Sequence, residues 1–470
     1  MSNMDIVPLI IGGEDIVLTG KYQGEIASPV PNGPTKFQGA TTELAIKAVE
    51  SSASAFASWS KTRPQERRAK LLQLATVLRQ RATELEKLVD EEIHCGELWA
   101  HIIMQGGIEL VEETAALITT STMGCIPATD KGSYGLVLKE PLGVVLGIAP
   151  WNAPVILGLR AVVAPVAVGN TAILKGSELS PRTHYMLASL FREAGFPPGV
   201  VNYVCHRPED ASDVYDSMIT QRAVKKCNFT GSTAVGRIIA SRAAQALKPV
   251  LLELGGKNYA LVLDDADLDL AAEHIVRGAF LNNGQICMST DLVISSKSIN
   301  SALESKILAL LDTIKTNHTV ISQPAKTKLE NLLSDSRTKG ASIHSAATST
   351  DGAHFPATLI RGVTPSMDFF HTESFGPVLG MVTVDHEDDI AALIQEFDYG
   401  LSSAIFTRNH HRALGLAASV NAGAVHVNAM TVHDEATLPH GGVGHSGWGR
   451  FGAGWGLEEF LQTKTVTLNG

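Results

Sequence analysis

The feature that most constrains this chain is a change of hydrophobic period near residue 130. Before it, residues 41 to 120 read as helix. "TTELAIKAVESSASAFASWS" opens with a Thr cap and a capping-box Glu, and "PQERRAKLLQLATVLRQRATELEKLVDEEI" repeats apolar residues at spacings of three and four. After it, "YGLVLKEPLGVVLGIAP" carries short β-branched runs split by Pro141, an exposed strand followed by a buried one. Strand, helix and strand then alternate in "GVVLGIAP", "APVILGLRAVVAPVAVG" and "NTAILK", a unit of about 30 residues, the size of a βαβ crossover. "VKKCNFTGSTAVGRIIASRAAQAL" and "NYALVLDD" continue the pattern. Alternation of this kind calls for an α/β fold, a parallel sheet with helices on both faces. It starts again from about residue 256, so a second domain is expected, with its boundary near Gly255-Gly256.

Composition narrows the function classes. The chain has 470 residues, 44% hydrophobic and 18% charged, enough for two or three packed domains and too apolar for a disordered segment. A net charge of −10 leaves no basic excess to neutralise phosphates, which argues against a nucleic-acid partner. Cys95, Cys125, Cys205, Cys227 and Cys287 form no CxxC pair, so neither a disulfide framework nor a metal site is expected. The amino terminus lacks the basic start and apolar run of a signal peptide, and no apolar run of about 18 residues would cross a membrane. The carboxyl terminus carries no lipidation or peroxisomal signal. A reducing cytoplasm is the expected location.

In an open parallel sheet, ligands bind beyond the carboxyl ends of the strands. Three such ends carry polar groups: "APWN" at 149–152, "LKGSE" at 174–178 and "FTGSTAVG" at 229–236. In the last, Gly231 and Ser232 lead into a helix with Gly236 in its first turn, where amides can face a pyrophosphate or simply be capped. Lys175 and Glu178 either reach ribose hydroxyls or form a surface ion pair. Glu253, inside the apolar strand of "LELGGK", is either a buried base or a carboxylate with a structural partner. Cys287, in "NNGQIC", is a nucleophile or a small core hydrophobe.

Taken together, "APWNAP", "LKGSE", "FTGSTAVG", "LELGGK", "NNGQIC", "ESFGPVL" and "GGVGHSGWGR", in this order over nearly the whole chain, closely resemble the NAD(P)-dependent aldehyde dehydrogenase superfamily. "VNAMTVHDEATLPHGGVG" followed by "GWGRFG" looks most like its salicylaldehyde, benzaldehyde and vanillin dehydrogenase group. The resemblance implies a Rossmann-type NAD-binding domain of residues 1–120 and 144–255 and an α/β catalytic domain of 256–445. It also implies a small β oligomerisation element of 125–142 and 461–470, joining two or four identical subunits. Cys287 becomes the nucleophile, Glu253 the general base and Asn152 an oxyanion donor. Ala149, Pro150, Trp151, Lys175, Ser177, Glu178, Gly231, Ser232, Gly236, Gly255, Glu373 and Phe375 become the NAD contacts. The expected reaction oxidises an aromatic aldehyde, a hydroxylated one such as salicylaldehyde included, to the carboxylic acid through a thiohemiacetal and a thioester.

The expected substrate contacts are Leu157, Arg160, Leu281 and His440. Arg160 follows Asn152 by eight residues, about 80° away around the helix. It either lines the tunnel as an unpaired cation that favours a hydroxylated substrate, or pairs with an acid between domains. Leu157 and Leu281 would be apolar walls, with His440 near the mouth. Three positions depart from the family pattern. Gly176 stands where many members have Pro or Ala, and Gly444 where Lys is common. Phe451 follows Arg450 where many members place a second glutamate, which leaves Glu253 as the lone catalytic carboxylate. Rival readings are an aliphatic or semialdehyde dehydrogenase, an enzyme passing its acyl group to coenzyme A, and a non-enzymatic scaffold on this fold. Retention of Cys287, Glu253 and Asn152 weighs against the scaffold, and retention of Glu253 for hydrolysis weighs against transfer to coenzyme A.

Overall fold

A computed structural model describes residues 6–18, 20, 22–26, 35–130 and 132–469. Residues 1–5 and Gly470, which fall inside the sequence-based domain bounds, lie outside the described residues. Two open sheets organise the chain. The first has eight strands, in the order Glu14–Ile16, Leu9–Ile11, Val201–Val204, Thr171–Lys175, Val144–Ile148, Val224–Thr230, Val250–Glu253, Gly447–Trp448. The five strands from Val201–Val204 to Val250–Glu253 run parallel, and the flanking pairs are antiparallel. The second sheet has seven strands, in the order Ser342–Ser345, Thr358–Arg361, Val378–Val384, Thr290–Ser296, Asn258–Val262, Ser402–Phe406, Ala424–Val427, parallel except for the first.

Residues 41 to 120 form the helices Thr42–Trp59, Pro64–Gln80, Ala82–Ile93 and most of Gly96–Ser121, as their periodicity predicts. The Thr41 hydroxyl caps the first by accepting from the Leu44 amide (3.2 Å). Glu43 lies one position too early to complete a capping box, so that detail of the sequence reading fails. The Val144–Ile148 strand is buried along its whole length because helices cover both faces of its sheet. Truncating Leu146, fully buried, to Ala would cost about 2–5 kcal/mol.

The chain passes from the first sheet to the second between Glu253 and Asn258, close to the boundary expected at Gly255-Gly256. It also returns: Leu252 and Glu253 pair with Trp448 and Gly447. Strands Tyr134–Pro141 and Leu461–Leu468 form a separate two-stranded antiparallel ribbon that exposes Tyr134, Leu138 and Leu468. No helix of the described residues is long and apolar enough to cross a membrane.

Candidate active site

The site forms where the carboxyl ends of the first sheet's strands meet the loops entering the amino ends of the second sheet's strands. Val144–Ile148 delivers residues 149–152, Val224–Thr230 delivers 231–232, and Val250–Glu253 ends on Glu253. From the other side come Cys287, just ahead of Thr290–Ser296, and Glu373 and Phe375, just ahead of Val378–Val384. Eleven of the residues singled out from sequence line one cavity of about 270 Å³: Pro150, Trp151, Asn152, Leu157, Gly231, Ser232, Glu253, Gly255, Cys287, Glu373 and Phe375.

The loop before Cys287 is held in an unusual conformation. Asn282, Asn283 and Gly284 have φ of 48°, 57° and 69°. Asparagine tolerates the left-handed region better than most residues, and glycine has no Cβ to clash there. At Gly284 a Cβ would lie 2.2 Å from the Gly376 carbonyl oxygen. The Gln285 side chain accepts from the Ile321 amide (2.9 Å) and donates to the Thr319 carbonyl (3.2 Å). Asn258 then donates to the carbonyls of Cys287 (2.8 Å) and Ser289 (3.0 Å). A thiol on so fixed a backbone has a defined line of attack.

Asn152 is anchored at both ends. Its Nδ2 donates to the Gln285 carbonyl (3.0 Å), and its own carbonyl accepts from Trp99 Nε1 and Asn282 Nδ2 (both 3.0 Å). The amide therefore has a fixed orientation at the cavity wall and a second hydrogen to give.

The charges around Cys287 are arranged asymmetrically. Burial, then the negative charge of Glu253, pushes the Cys287 thiol well above its ordinary range. Burial also pushes the Glu253 carboxyl up, but His440 and Arg160 more than offset this and hold it below the usual value. The resting pair is thus a protonated thiol beside an ionised carboxylate. Neither oxygen of Glu253 has a hydrogen-bond partner of normal length, and the group is fully buried.

Glu373 stands on the opposite side of the balance. Its Oε1 accepts from the Gly256 amide (2.9 Å), yet burial raises its carboxyl to about 7, with Asp291 adding to the shift. Its approach depends on Gly255, where a Cβ would lie 2.5 Å from Glu373 Oε2. Phe375 meets Trp151 edge to face, ring centroids 5.8 Å apart.

A second cavity of about 440 Å³ is lined by Lys175, Glu178, His206, Tyr215, Val235, Ile238 and Ile239, among others. Lys175 Nζ and Glu178 Oε2 are 4.0 Å apart. The helix Thr233–Gln245 stands between the cavities: Gly231 and Ser232 at its amino terminus face the first, and Val235 and Ile238 face the second. Two cavities joined by a helix amino terminus, with an acid at each far end, fit a dinucleotide. Lys175 and Glu178 would hold one nucleoside, Gly231 and Ser232 the phosphates, and Glu373 the other ribose.

Some residues expected here line neither cavity. Ala149 is tied by its amide to the Lys175 carbonyl (3.0 Å), Ser177 accepts from the Leu179 amide (3.2 Å), and Gly236 packs under Leu254. Leu281 does not line either cavity. Arg160 is not an unpaired cation: it is buried in an ion pair with Asp434, with its guanidinium 5.8 Å from the centre of the Phe451 ring. His440 is not at an open mouth but buried, its Nε2 3.7 Å from Glu253 Oε1. Gly176 leaves room for the His184 ring, 2.7 Å from where a Cβ would be, and Gly444 adopts φ 59° against the Asp398 carbonyl. Sequence reasoning missed Lys328 and Ile321 in the first cavity and His206 and Tyr215 in the second, none of which sits in a motif.

The sequence signature of the aldehyde dehydrogenase family matches residues 24–466. A vanillin dehydrogenase of Pseudomonas fluorescens is 39% identical over 98% of each chain. The crystal structure of a salicylaldehyde dehydrogenase from Pseudomonas putida, complexed with salicylaldehyde, superposes with a TM-score of 0.96 at 33% identity over 99% of each chain. A betaine aldehyde dehydrogenase from Staphylococcus aureus, solved with NAD+, gives 0.94 at 26% identity, covering 99% of this chain and 95% of that one. The chain belongs to the aldehyde dehydrogenase family and is an oxidoreductase of aldehydes. Members of this family use a nicotinamide dinucleotide, NAD or NADP.

Proposed function

We propose that this enzyme oxidises an aromatic aldehyde to its carboxylic acid with NAD, using Cys287 as nucleophile and Glu253 as base. The observation that carries the reading is the convergence of Cys287, Glu253 and Asn152 on one cavity with Glu373 and Phe375. Cys287 Sγ adds to the carbonyl carbon while its proton passes to Glu253, giving a thiohemiacetal. Asn152 donates to the oxyanion, and one such donor is worth about 3 kcal/mol. A bound nicotinamide supplies the hydride acceptor. The thioester left on Cys287 is hydrolysed by a water that Glu253 deprotonates. Leu157 borders the aldehyde's side of Cys287 in this reading, with His440 behind Glu253 and Arg160 held by Asp434.

The choice of an aromatic substrate draws on the activities of the relatives, a vanillin and a salicylaldehyde dehydrogenase. The preference for NAD draws on Glu178, whose charge would repel a 2′-phosphate. Residues 1–120 and 144–255 serve as the coenzyme domain in this reading, and 256–445 as the catalytic domain. The ribbon of Tyr134–Pro141 and Leu461–Leu468 joins two or four subunits, since a lone two-stranded ribbon with exposed apolar side chains needs a partner. All five cysteines are free, as a cytoplasmic setting would keep them.

The test is a scan of kcat/KM with NAD and NADP over salicylaldehyde, vanillin, benzaldehyde, hexanal and succinic semialdehyde. At least a tenfold advantage, on the order of 1.4 kcal/mol, is expected for the aromatic aldehydes and for NAD. A preference for hexanal or the semialdehyde would overturn the substrate assignment.

A further inference from the structure

Beside Glu253, and outside the lining of the cavity, lies a row of ionisable groups. His440 Nε2 is 3.7 Å from Glu253 Oε1, and His440 Nδ1 is 3.6 Å from Asp434 Oδ1. The other oxygen of Asp434 is ion-paired with Arg160. Glu253 and His440 are shielded from solvent, and His440 Nε2 lacks a hydrogen-bond partner just as Glu253's two oxygens do. An imidazole suspended between two carboxylates at nearly equal distance has the geometry of a proton relay. The position is notable because His440 and Phe451 exchange backbone hydrogen bonds of 2.8 and 2.7 Å. Phe451 is the residue that stands where a second glutamate is common in the family.

The charges surrounding His440 favour transfer. Asp434 is pushed up by burial, but the charges beside it, the Arg160 guanidinium first, hold it below the ordinary carboxylate range. His426, the other histidine close enough to be influenced by His440, is pushed down to about 4 by burial first and then by His433 and His440, so it brings no opposing charge. His433 stacks on His426 (centroids 4.7 Å apart) and is tied to Glu435 (2.8 Å). Cys287 stays protonated until it attacks.

We infer that His440 is a positioning residue for Glu253, receiving at Nε2 the proton that Glu253 removes from the hydrolytic water, with Asp434 and Arg160 holding the ring. The inference rests on the reading of Glu253 as the base. In the step, a water O–H bond breaks and its oxygen bonds to the thioester carbon. The proton goes to Glu253 and then to His440, whose other hydrogen sits on Nδ1 facing Asp434. The C–S bond breaks as the adduct collapses, its electron pair returning to Sγ. The imidazolium then releases its proton to solvent past Asp434, which is 19% exposed. No group is oxidised or reduced.

The experiment compares His440→Gln, His440→Ala, Asp434→Asn and Glu253→Gln in the intact enzyme with saturating NAD and benzaldehyde. Both His440 variants are expected to keep the first-turnover burst of NADH within about threefold while kcat falls about 10- to 100-fold. Added imidazole should restore kcat in His440→Ala. Asp434→Asn should give a smaller drop. If His440→Ala does not fold, the burst and kcat of His440→Gln decide. A His440 variant with wild-type kcat overturns the relay, as does a joint loss of burst and turnover that imidazole leaves unchanged. Wild-type kcat in Glu253→Gln would instead overturn the reading of Glu253 as base. A slow Glu253→Gln beside a normal His440→Gln overturns the relay alone.

Discussion

Glu253 and Glu373 line the same cavity around Cys287, and burial pushes both toward protonation, yet they settle in opposite states. Glu253 has His440 and Arg160 near it and stays ionised despite being fully buried. Glu373 has the Gly256 amide and the charges of Lys328 and Lys257 to lower it, but burial, with the negative charge of Asp291, outweighs them and its carboxyl rises to about 7. Burial sets the strength of the effect and the neighbours set its sign. The site thereby keeps an ionised carboxylate on one wall and a carboxyl that titrates near neutrality on the other.

The bluntest intervention removes the group both glutamates surround. Cys287→Ala should lower kcat by more than about 10⁴-fold while the dissociation constant for NAD, read by fluorescence titration, stays within threefold. Substantial residual turnover would remove the covalent route. Next come the two glutamates themselves. Glu253→Gln should reduce kcat by about 10²- to 10⁴-fold and leave a burst of one NADH per site in stopped flow. Glu373→Gln should act mainly on the KM for NAD, raising it about tenfold, the equivalent of one lost charge-assisted hydrogen bond. Equal damage to kcat in both variants would erase the distinction.

The pH dependence sharpens the contrast. Only the ionised Glu373 is a full acceptor for ribose hydroxyls, so the KM for NAD should rise as pH falls through about 7 in the wild type and stay flat in Glu373→Gln. The stability signs are also opposed. Glu373, raised in the folded state, contributes stability below its unfolded value and loses it as pH rises through about 7. Glu253, depressed in the folded state, contributes stability above its unfolded value and loses it as pH falls through the folded one. Calorimetry of the cofactor-free enzyme at pH 8.5 should find Glu373→Gln a few degrees more stable than wild type and Glu253→Gln less stable. Shifts of the same sign would contradict the assigned charge states. The smallest effect belongs to the far cavity: Glu178→Gln should narrow the NAD to NADP ratio of kcat/KM by at most about tenfold.

The parts of the molecule legible from sequence are those written in local patterns. The switch of period near residue 130 announced the two parallel sheets, because a strand buried on both faces must be apolar at every position, as Val144–Ile148 is. The motif residues at 149–152, 231–232 and 253 were legible because each marks the carboxyl end of a strand, where an α/β fold gathers its ligands, whereas Cys287, Glu373 and Phe375 precede their strands and were legible through the family motifs. Pairings across the chain were not. Asp434 sits in a stretch that drew attention for other reasons, but nothing in its spacing ties it to Arg160, 274 residues away. His440 lies in a glycine-rich stretch whose path toward Glu253 only the tertiary structure reveals. The edge strand Gly447–Trp448 is two residues long, too short to show any period.

That short strand bears on how the enzyme is made. The strand ending in Glu253 pairs on one side with Val224–Thr230 and on the other with Gly447–Trp448. On the ribosome its second neighbour is synthesised nearly two hundred residues later, roughly ten to forty seconds at about 5–20 residues per second. Throughout that interval the segment carrying Glu253 presents an unpaired ladder of amides and carbonyls, the kind of edge that recruits stray strands. A nascent chain stalled, or truncated by a premature stop, before Gly447 would keep that edge permanently open. Proteolysis and chaperone capture of such fragments should concentrate around residues 250–253, and the last two dozen residues act as the closing stitch of a sheet begun at Leu9.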